Sequence, residues 1–294
     1  MKILRHPNEV FPPIAFARRE GETVGLVPTM GALHAGHFAL VRQSASQCDK
    51  TVATIFVNPT QFATGEDLSR YPRTLEADLE GLAAAGADFV FVPQDSQLYP
   101  AGFSTFVDPP SVSLPLEGDF RPGHYRGVAT IVLKLFNLIP ATTAFFGRKD
   151  YQQLLTIRKM VEDLNVPIRI EACETVRETD GLAMSSRNRY LSPEDRQRAV
   201  GIYQALQSTL QSFESGVRDV SELEVTLRKS LHESKIDEID YAKVVDAETL
   251  QELKTLEAPA IALVAARVGK TRLIDNWLLE SSTPNLECCD LSQL

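Results

Sequence analysis

The pattern of apolar and polar positions divides the chain into two textures. Through its first half, short apolar runs alternate with stretches of helical spacing. Residues 23–28 (TVGLVP), 51–57 (TVATIFV), 88–93 (DFVFVP) and 143–146 (TAFF) are predicted as buried strands, and residues 36–48, 74–85 and 125–138 as helices. Strands separated by helices imply a parallel sheet with crossover connections, so a Rossmann-like doubly wound α/β domain is expected. Ligands bind such sheets beyond the carboxyl ends of the strands, which directs attention to the loops after Val27, Val57 and Phe146. From about residue 178 the pattern changes to long charged amphipathic helices, 193–215 and 221–234, followed by β-branched runs at 239–245, 260–268 and 271–274. The expected organisation is a domain over residues 1–177 and a smaller C-terminal α+β domain over 178–294, with a frayed tail from about residue 281.

Composition narrows the class. At 294 residues, 44% hydrophobic and 23% charged, the chain has the make-up of an ordinary globular protein of about two domains. No apolar run approaches the roughly 18–20 residues that span a bilayer. The opening residues MKILRHP meet charge and proline before any apolar core, which argues against a secretory signal and for a cytoplasmic protein. Cys48, Cys173, Cys288 and Cys289 lack C-x-x-C spacing and are expected as reduced thiols. A formal charge of -9 argues against binding driven by nucleic-acid phosphates. Residues 118–187 nevertheless carry a net +2 between segments of -5 and -6, which suits a small anionic ligand.

The unusual residues follow the strands. Met30, Gly31, Ala32, Leu33, His34, Ala35, Gly36 and His37 lead from the first predicted strand into the first helix, with two imidazoles on one face of the helix N-terminus. Free backbone N–H groups and the helix dipole favour an anion there, and imidazole can donate further hydrogen bonds to phosphate. Asn58 and Gln61 follow the next strand and should face the same crevice; as turn residues, Asn58 and Pro59 also need no function. Gly147, Arg148, Lys149 and Asp150 form a third strand-to-helix turn, with Lys149 as a cation and Asp150 as an expected N-cap. Ser185, Ser186 and Arg187 form a donor cluster suited to closing over a triphosphate, although a plain polar linker would read the same way. In the cluster EGDFRPGHYR, Arg121 or Arg126 could meet a carboxylate, or could simply be satisfied by Glu117 and Asp119. No zinc motif is present, Gly269-Lys270-Thr271 lacks the first glycine of a Walker A loop because position 264 is Val264, and no G-x-G-x-x-G follows a strand.

With PTMGALHAGH, FVNPTQF, YPRT, FGRKDYQQL and MSSRN in this order, the sequence resembles the pantothenate synthetase, or pantoate-β-alanine ligase, family over roughly residues 1–280. The resemblance implies the fold of the HIGH-type nucleotidyltransferases and condensation of pantoate with β-alanine, ATP being converted to AMP and pyrophosphate with Mg2+ present. It further implies that residues 30–37, Gly147 to Asp150, Val176, Met184, Ser185, Ser186 and Arg187 contact ATP, and that His34, His37, Lys149 and Arg187 assist the chemistry, His37 as proton donor to the leaving group. Gln61 and Gln153 match pantoate-binding glutamines, with Asn58 beside them and Gln61 also near β-alanine. Asp78 matches a family acidic position near magnesium, but Ala77 stands where a second carboxylate is usual, so no metal ligand is assigned. Ala35 and Arg148 stand at positions where the family often has Glu. A homodimer is also implied. Two other readings compete: a nucleotidyltransferase acting on a phosphorylated small molecule, and a nucleotide-binding protein with no catalysis.

Overall fold

The computed structural model describes residues 1–63, 66–257 and 259–280. The expected tail from residue 281 lies outside the described residues. In chain order the elements are β1 (Lys2–Leu4), α1 (Pro7–Arg19), β2 (Val24–Val27), α2 (Ala35–Gln47), β3 (Lys50–Thr54), α3 (Leu75–Ala85), β4 (Phe89–Phe91), α4 (Asp95–Leu98), α5 (Glu117–Phe120), α6 (His124–Leu138), β5 (Thr143–Gly147), α7 (Tyr151–Asp163) and β6 (Arg169–Cys173). There follow α8 (Pro193–Glu214), α9 (Val220–Glu233), β7 (Glu238–Asp246), β8 (Ala260–Val268) and β9 (Thr271–Leu279), with short single-turn helices in several connections.

The first six strands form one parallel sheet in the order β1-β4-β3-β2-β5-β6. The chain winds outward from β2 through β3 to β4, then returns to the other side of β2 as β5. The switch point therefore lies between β2 and β5, and the crevice beyond their carboxyl ends is the place a doubly wound sheet offers a ligand. Val24, Leu26, Val27, Val52, Ala53, Val90, Ala144 and Phe145 are fully buried, as strands covered by helices on both faces require.

Several elements of this half go beyond the sequence expectation: β1, α1, α4, α5 and β6. Helix α1 contains Pro12 and Pro13. An interior proline opposes a helix, but here a capping box between His6 and Glu9 starts α1, and Val10, Ile14 and Ala17 bury its inner face. Strand β6 is partly exposed and pairs only with β5, so it lacks the continuous apolar run that marks the other central strands. The predicted strand 51–57 is shortened: the ladder ends at Thr54, and Ile55 and Phe56 continue as extended chain whose amides donate to Phe91 O (2.9 Å) and Thr29 O (3.1 Å).

The C-terminal part is an antiparallel sheet, β7-β8-β9, with α8 and α9 against one face. Strand β9 runs five residues beyond the predicted end at Ile274, because Asp275, Asn276 and Leu279 are buried there. The opposite face of this sheet, carrying Tyr241, Val245, Ile261, Leu263 and Ala265, packs against Val112, Leu116 and Tyr151 of the first half. That apolar seam sets the second sheet beside the switch point.

Candidate active site

The turn from β2 to α2 is held in an unusual backbone shape. Gly31 has φ +82° and Ala32 has φ +51°, a conformation that costs a residue with a Cβ about 1–2 kcal/mol. Asp78, on α3 and 2% exposed, offsets this cost: its carboxylate accepts from Ala32 N (2.9 Å), Leu33 N (2.8 Å) and Thr74 Oγ1 (3.0 Å). A Cβ on Gly31 would stand 3.2 Å from the same carboxylate.

Beyond the turn, His34 is the N-cap of α2. Its Nδ1 accepts from Gly36 N (3.2 Å), while Nδ1 of His37 accepts from His34 N (3.4 Å). A ring nitrogen that accepts from a backbone amide carries no proton, so each neutral imidazole bears its proton on Nε2 and is a hydrogen-bond donor there. The rings lie 4.1 Å apart. Burial holds both below their ordinary value, His34 to about 4 and His37 to about 3, with Lys149 and the neighbouring imidazole adding to the effect. At neutral pH the pair is uncharged.

A second cluster follows β3. Asn58 is 1% exposed; its Nδ2 donates to Gly127 O (3.2 Å) and to Gln61 Oε1 (3.0 Å), and its Oδ1 accepts from Tyr99 Oη (2.8 Å) and Thr60 Oγ1 (3.0 Å). Because a carbonyl only accepts, the Gly127 contact fixes which way both amides face. Gln61 is left with its NH2 toward Met30 Sδ at 2.9 Å, a weak acceptor that a substrate oxygen can replace. Asn58 thus stands behind Gln61 and orients it. Helix α6 approaches closely only because residue 127 is glycine: a Cβ there would lie 2.3 Å from Thr60 O. At the start of α6, His124 Nε2 lies 3.1 Å from Arg121 Nη1, which can only donate, so Nδ1 carries the proton and donates to Gln61 O at 2.8 Å. Burial and the Arg121 charge lower His124 to about 4.

The third cluster is the β5–α7 turn. Asp150 precedes α7 but its side chain makes no capping bond, contrary to the expectation; the carboxylate instead stands 3.8 Å from Lys149 Nζ. Burial alone would raise this carboxyl, but Lys149 and Arg187 outweigh it and hold it below the ordinary carboxylate value. Asn276 of β9 donates to Arg148 O (3.0 Å) and Lys149 O (2.9 Å), fixing the turn from the second sheet. Ser185 caps the single turn Ser186–Tyr190 by accepting from Arg187 N at 3.2 Å. Arg189 donates to Leu33 O at 3.3 Å, tying this segment to the histidine turn.

These clusters enclose one cavity of about 230 Å3. Met30, His34, Gly36, His37, Asn58, Gln61, Gly147, Lys149, Asp150, Gln153, Val176, Met184, Ser185, Ser186 and Arg187 all line it. Gly31, Ala32 and Leu33 are buried within the turn and shape it, without bordering the cavity. Ala35 is exposed outside the cavity, and Arg148 is turned to Glu174 at 2.7 Å, so these two of the three departures from the family pattern lie off the cavity wall. Tyr71, His124 and Thr175 also line it, as do Val128, Ile131 and Val132 of α6. The sequence carried a signal for α6 in its apolar spacing, but nothing marked which of its faces the cavity would meet. Among the described residues no group of three or more His, Cys, Asp or Glu is arranged to hold a metal ion, and both Asp78 oxygens are occupied by backbone amides.

The pantoate-beta-alanine ligase family model matches residues 2–278. The chain is 54% identical over 261 residues to a pantothenate synthetase of Rhodopirellula baltica, covering 88% of this chain and 92% of that protein. It is 48% identical over 283 residues to pantothenate synthetase 1 of Bradyrhizobium diazoefficiens, covering 96% and 99%. Among solved structures, the pantothenate synthetase of Thermus thermophilus superposes with a TM-score of 0.87 at 43% identity, covering 94% of this chain and 99% of that one. A pantoate-beta-alanine ligase from Francisella tularensis, complexed with beta-gamma ATP and beta-alanine, gives 0.75 at 33% identity, covering 96% and 99%. With a cavity at the switch point bordered by the sequence's own motifs, and with relatives matched along nearly their whole length, the chain belongs to the pantoate-β-alanine ligase family.

Proposed function

We propose that the protein condenses pantoate with β-alanine in two steps at this one cavity, with ATP as co-substrate. A pantoate carboxylate oxygen attacks the α-phosphorus of ATP; the bond from that phosphorus to the bridging oxygen breaks, and pyrophosphate leaves. The β-alanine nitrogen then attacks the acyl carbon, the acyl–phosphate bond breaks, AMP leaves, and the nitrogen loses a proton. A free carboxylate is a poor acyl donor, so activation replaces one difficult step by two easier ones.

The observation that carries the reading is the convergence, around one crevice, of the Nε2–H donors of His34 and His37, the Lys149 ammonium and the 185–187 segment. Such donors, fixed before the substrate arrives, stabilise charge that develops on phosphate oxygens. Because His37 stands neutral, it serves the leaving group as a hydrogen-bond donor; anionic phosphates beside it raise its affinity for a proton. Gln61 and Gln153 supply uncharged donors and acceptors for the pantoate hydroxyls and carboxylate, and Asn58 orients Gln61. Among the described residues no group of carboxylates, imidazoles or thiols builds a metal site, and no step of this reading is assigned to Mg2+. The reading carries the division at residues 177 and 178, a cytoplasmic location and a homodimer, whose mass light scattering measures directly.

A nucleotidyltransferase acting on a phosphorylated acceptor would need several cations where this cavity presents Gln61, Asn58, the apolar face of α6 and a single arginine, Arg121, already paired with Glu66. The decisive experiment is exchange of labelled pyrophosphate into ATP with pantoate present and β-alanine absent. Pantoate-dependent exchange is expected; ATP binding with no exchange would remove the adenylate step.

A further inference from the structure

The reaction brings a third anion into the cavity, the carboxylate of β-alanine, and none of the groups placed so far receives it. Lys149 stands beside Asp150 and the histidine pair. Arg148 is paired with Glu174, Arg177 with Asp275, and Arg126 with Asp108 while stacked over Phe106. Arg121 borders the cavity at its Gln61 end.

Its guanidinium is aimed from several sides. Nη1 donates to the neutral His124 at 3.1 Å, Nη2 reaches Gln61 O at 3.4 Å, and Glu117 stands 4.0 Å away. Glu117 is itself held by Arg272, at 2.6 and 2.9 Å, and by Tyr241 Oη at 2.9 Å, so it keeps Arg121 in place without enclosing it. The remaining edge, Nε and Nη2, grips both oxygens of Glu66 at 2.7 Å each. Glu66 lies in the segment between Phe62 and Tyr71, both of which line the cavity. A guanidinium edge holding a carboxylate in two parallel bonds is the arrangement that selects a carboxylate over other anions.

We propose that Arg121 is the anchor for the β-alanine carboxylate, and that Glu66 occupies this anchor until the substrate exchanges with it. This rests on the ligase reading and names its second-substrate subsite. The exchange replaces one bidentate carboxylate by another, so a buried charge is never left unpaired while β-alanine enters. It also sets specificity. With the carboxylate held at Arg121, the distance from carboxylate to amine decides which amino acid reaches the acyl carbon.

The test compares the two half-reactions in wild type, Arg121→Gln and Arg121→Lys. Pantoate-dependent pyrophosphate exchange involves no β-alanine and is expected to persist in both variants. The KM for β-alanine should rise roughly 10- to 100-fold in Arg121→Gln, the loss of a charge-assisted pair, and less in Arg121→Lys. The preference of wild type for β-alanine over β-alaninamide, which keeps the amine and lacks the carboxylate, should disappear in Arg121→Gln. Glu66→Gln should lower the KM for β-alanine. An unchanged β-alanine KM in Arg121→Gln, a retained preference over the amide, or a parallel loss of exchange would overturn the anchor. A raised KM in Glu66→Gln would overturn the substitution of one carboxylate for the other. Absence of exchange in wild type would instead count against the ligase reading itself.

Discussion

The chemistry of single residues in this cavity is set by what each polar atom has left after folding. His34 and His37 spend Nδ1 on backbone amides, which leaves two Nε2–H donors and no charge. Asn58 spends its whole amide on Gln61, Gly127, Thr60 and Tyr99 and so acts through Gln61. Lys149 is the cation of the β5–α7 turn that borders the cavity, close to Asp150 and fixed through its carbonyl by Asn276. Removing one preorganised donor to a developing phosphate charge costs about 100- to 1,000-fold in rate. His37→Ala and Lys149→Ala should therefore each slow pantoate-dependent exchange at least about 100-fold while leaving the far-ultraviolet circular dichroism unchanged. Wild-type exchange rates in folded variants would take these residues out of the mechanism.

At the scale of elements, the β2–α2 turn depends on α3. The turn's left-handed residues, Gly31 and Ala32, hold their shape because both Asp78 oxygens accept the amides that follow. Asp78→Asn keeps the volume but places an NH2 against one of those amides. A buried polar mismatch of this kind costs about 1–3 kcal/mol, and the freed turn should raise the KM for ATP more than that for pantoate. Urea melts and initial-rate kinetics measure both; unchanged stability would show that the carboxylate does not brace the turn. This element-scale role was hidden in the sequence, where Asp78 reads as one of several acidic residues on an amphipathic helix. Asp78 and Ala32 are separated by 46 positions, and only the packing of α3 beside α2 brings them together.

For the whole molecule, the buried histidines tie stability to pH. His34, His37 and His124 take up protons only near pH 4, 3 and 4, whereas in the unfolded chain they do so near 6.5. Below pH 6.5 the unfolded state binds more protons, so stability rises with pH through this range: it is fully present above 6.5 and is lost as pH falls toward 4. Urea midpoints should fall steadily between pH 7 and 5, and His124→Gln should flatten that slope. A midpoint constant over this range would contradict the neutral burial of these rings. The two halves of the molecule are also joined by charge, since Arg272 of β9 grips Glu117 and Asp240, and Arg177 grips Asp275 in a bidentate pair.

Much of this was legible in the chain itself. Apolar runs of four to seven residues separated by helical spacing identified the central strands and their helices, because strands buried on both faces must be apolar throughout and helices must show a 3.6-residue period. The loops that follow such strands are where a doubly wound sheet takes its ligands, so the histidine turn, Gln61 and Lys149 were singled out from sequence order, whereas the 185–187 segment was marked only by its cluster of donors and by the family resemblance. The start of the chain was not legible, since Pro12 and Pro13 contradict a helix that the His6–Glu9 capping box and the burial of Val10, Ile14 and Ala17 sustain. Local patterning fixes which residues are apolar and where turns fall, and that is enough for elements and motifs. It does not determine which lone pairs and protons remain unpaired after long-range contacts form. The burial that keeps His34 and His37 neutral, the bracing by Asp78 and Asn276, and the closer pairing of Arg121 with Glu66 than with Glu117 were decided by tertiary structure, because each depends on groups brought near by packing and not by the local chain.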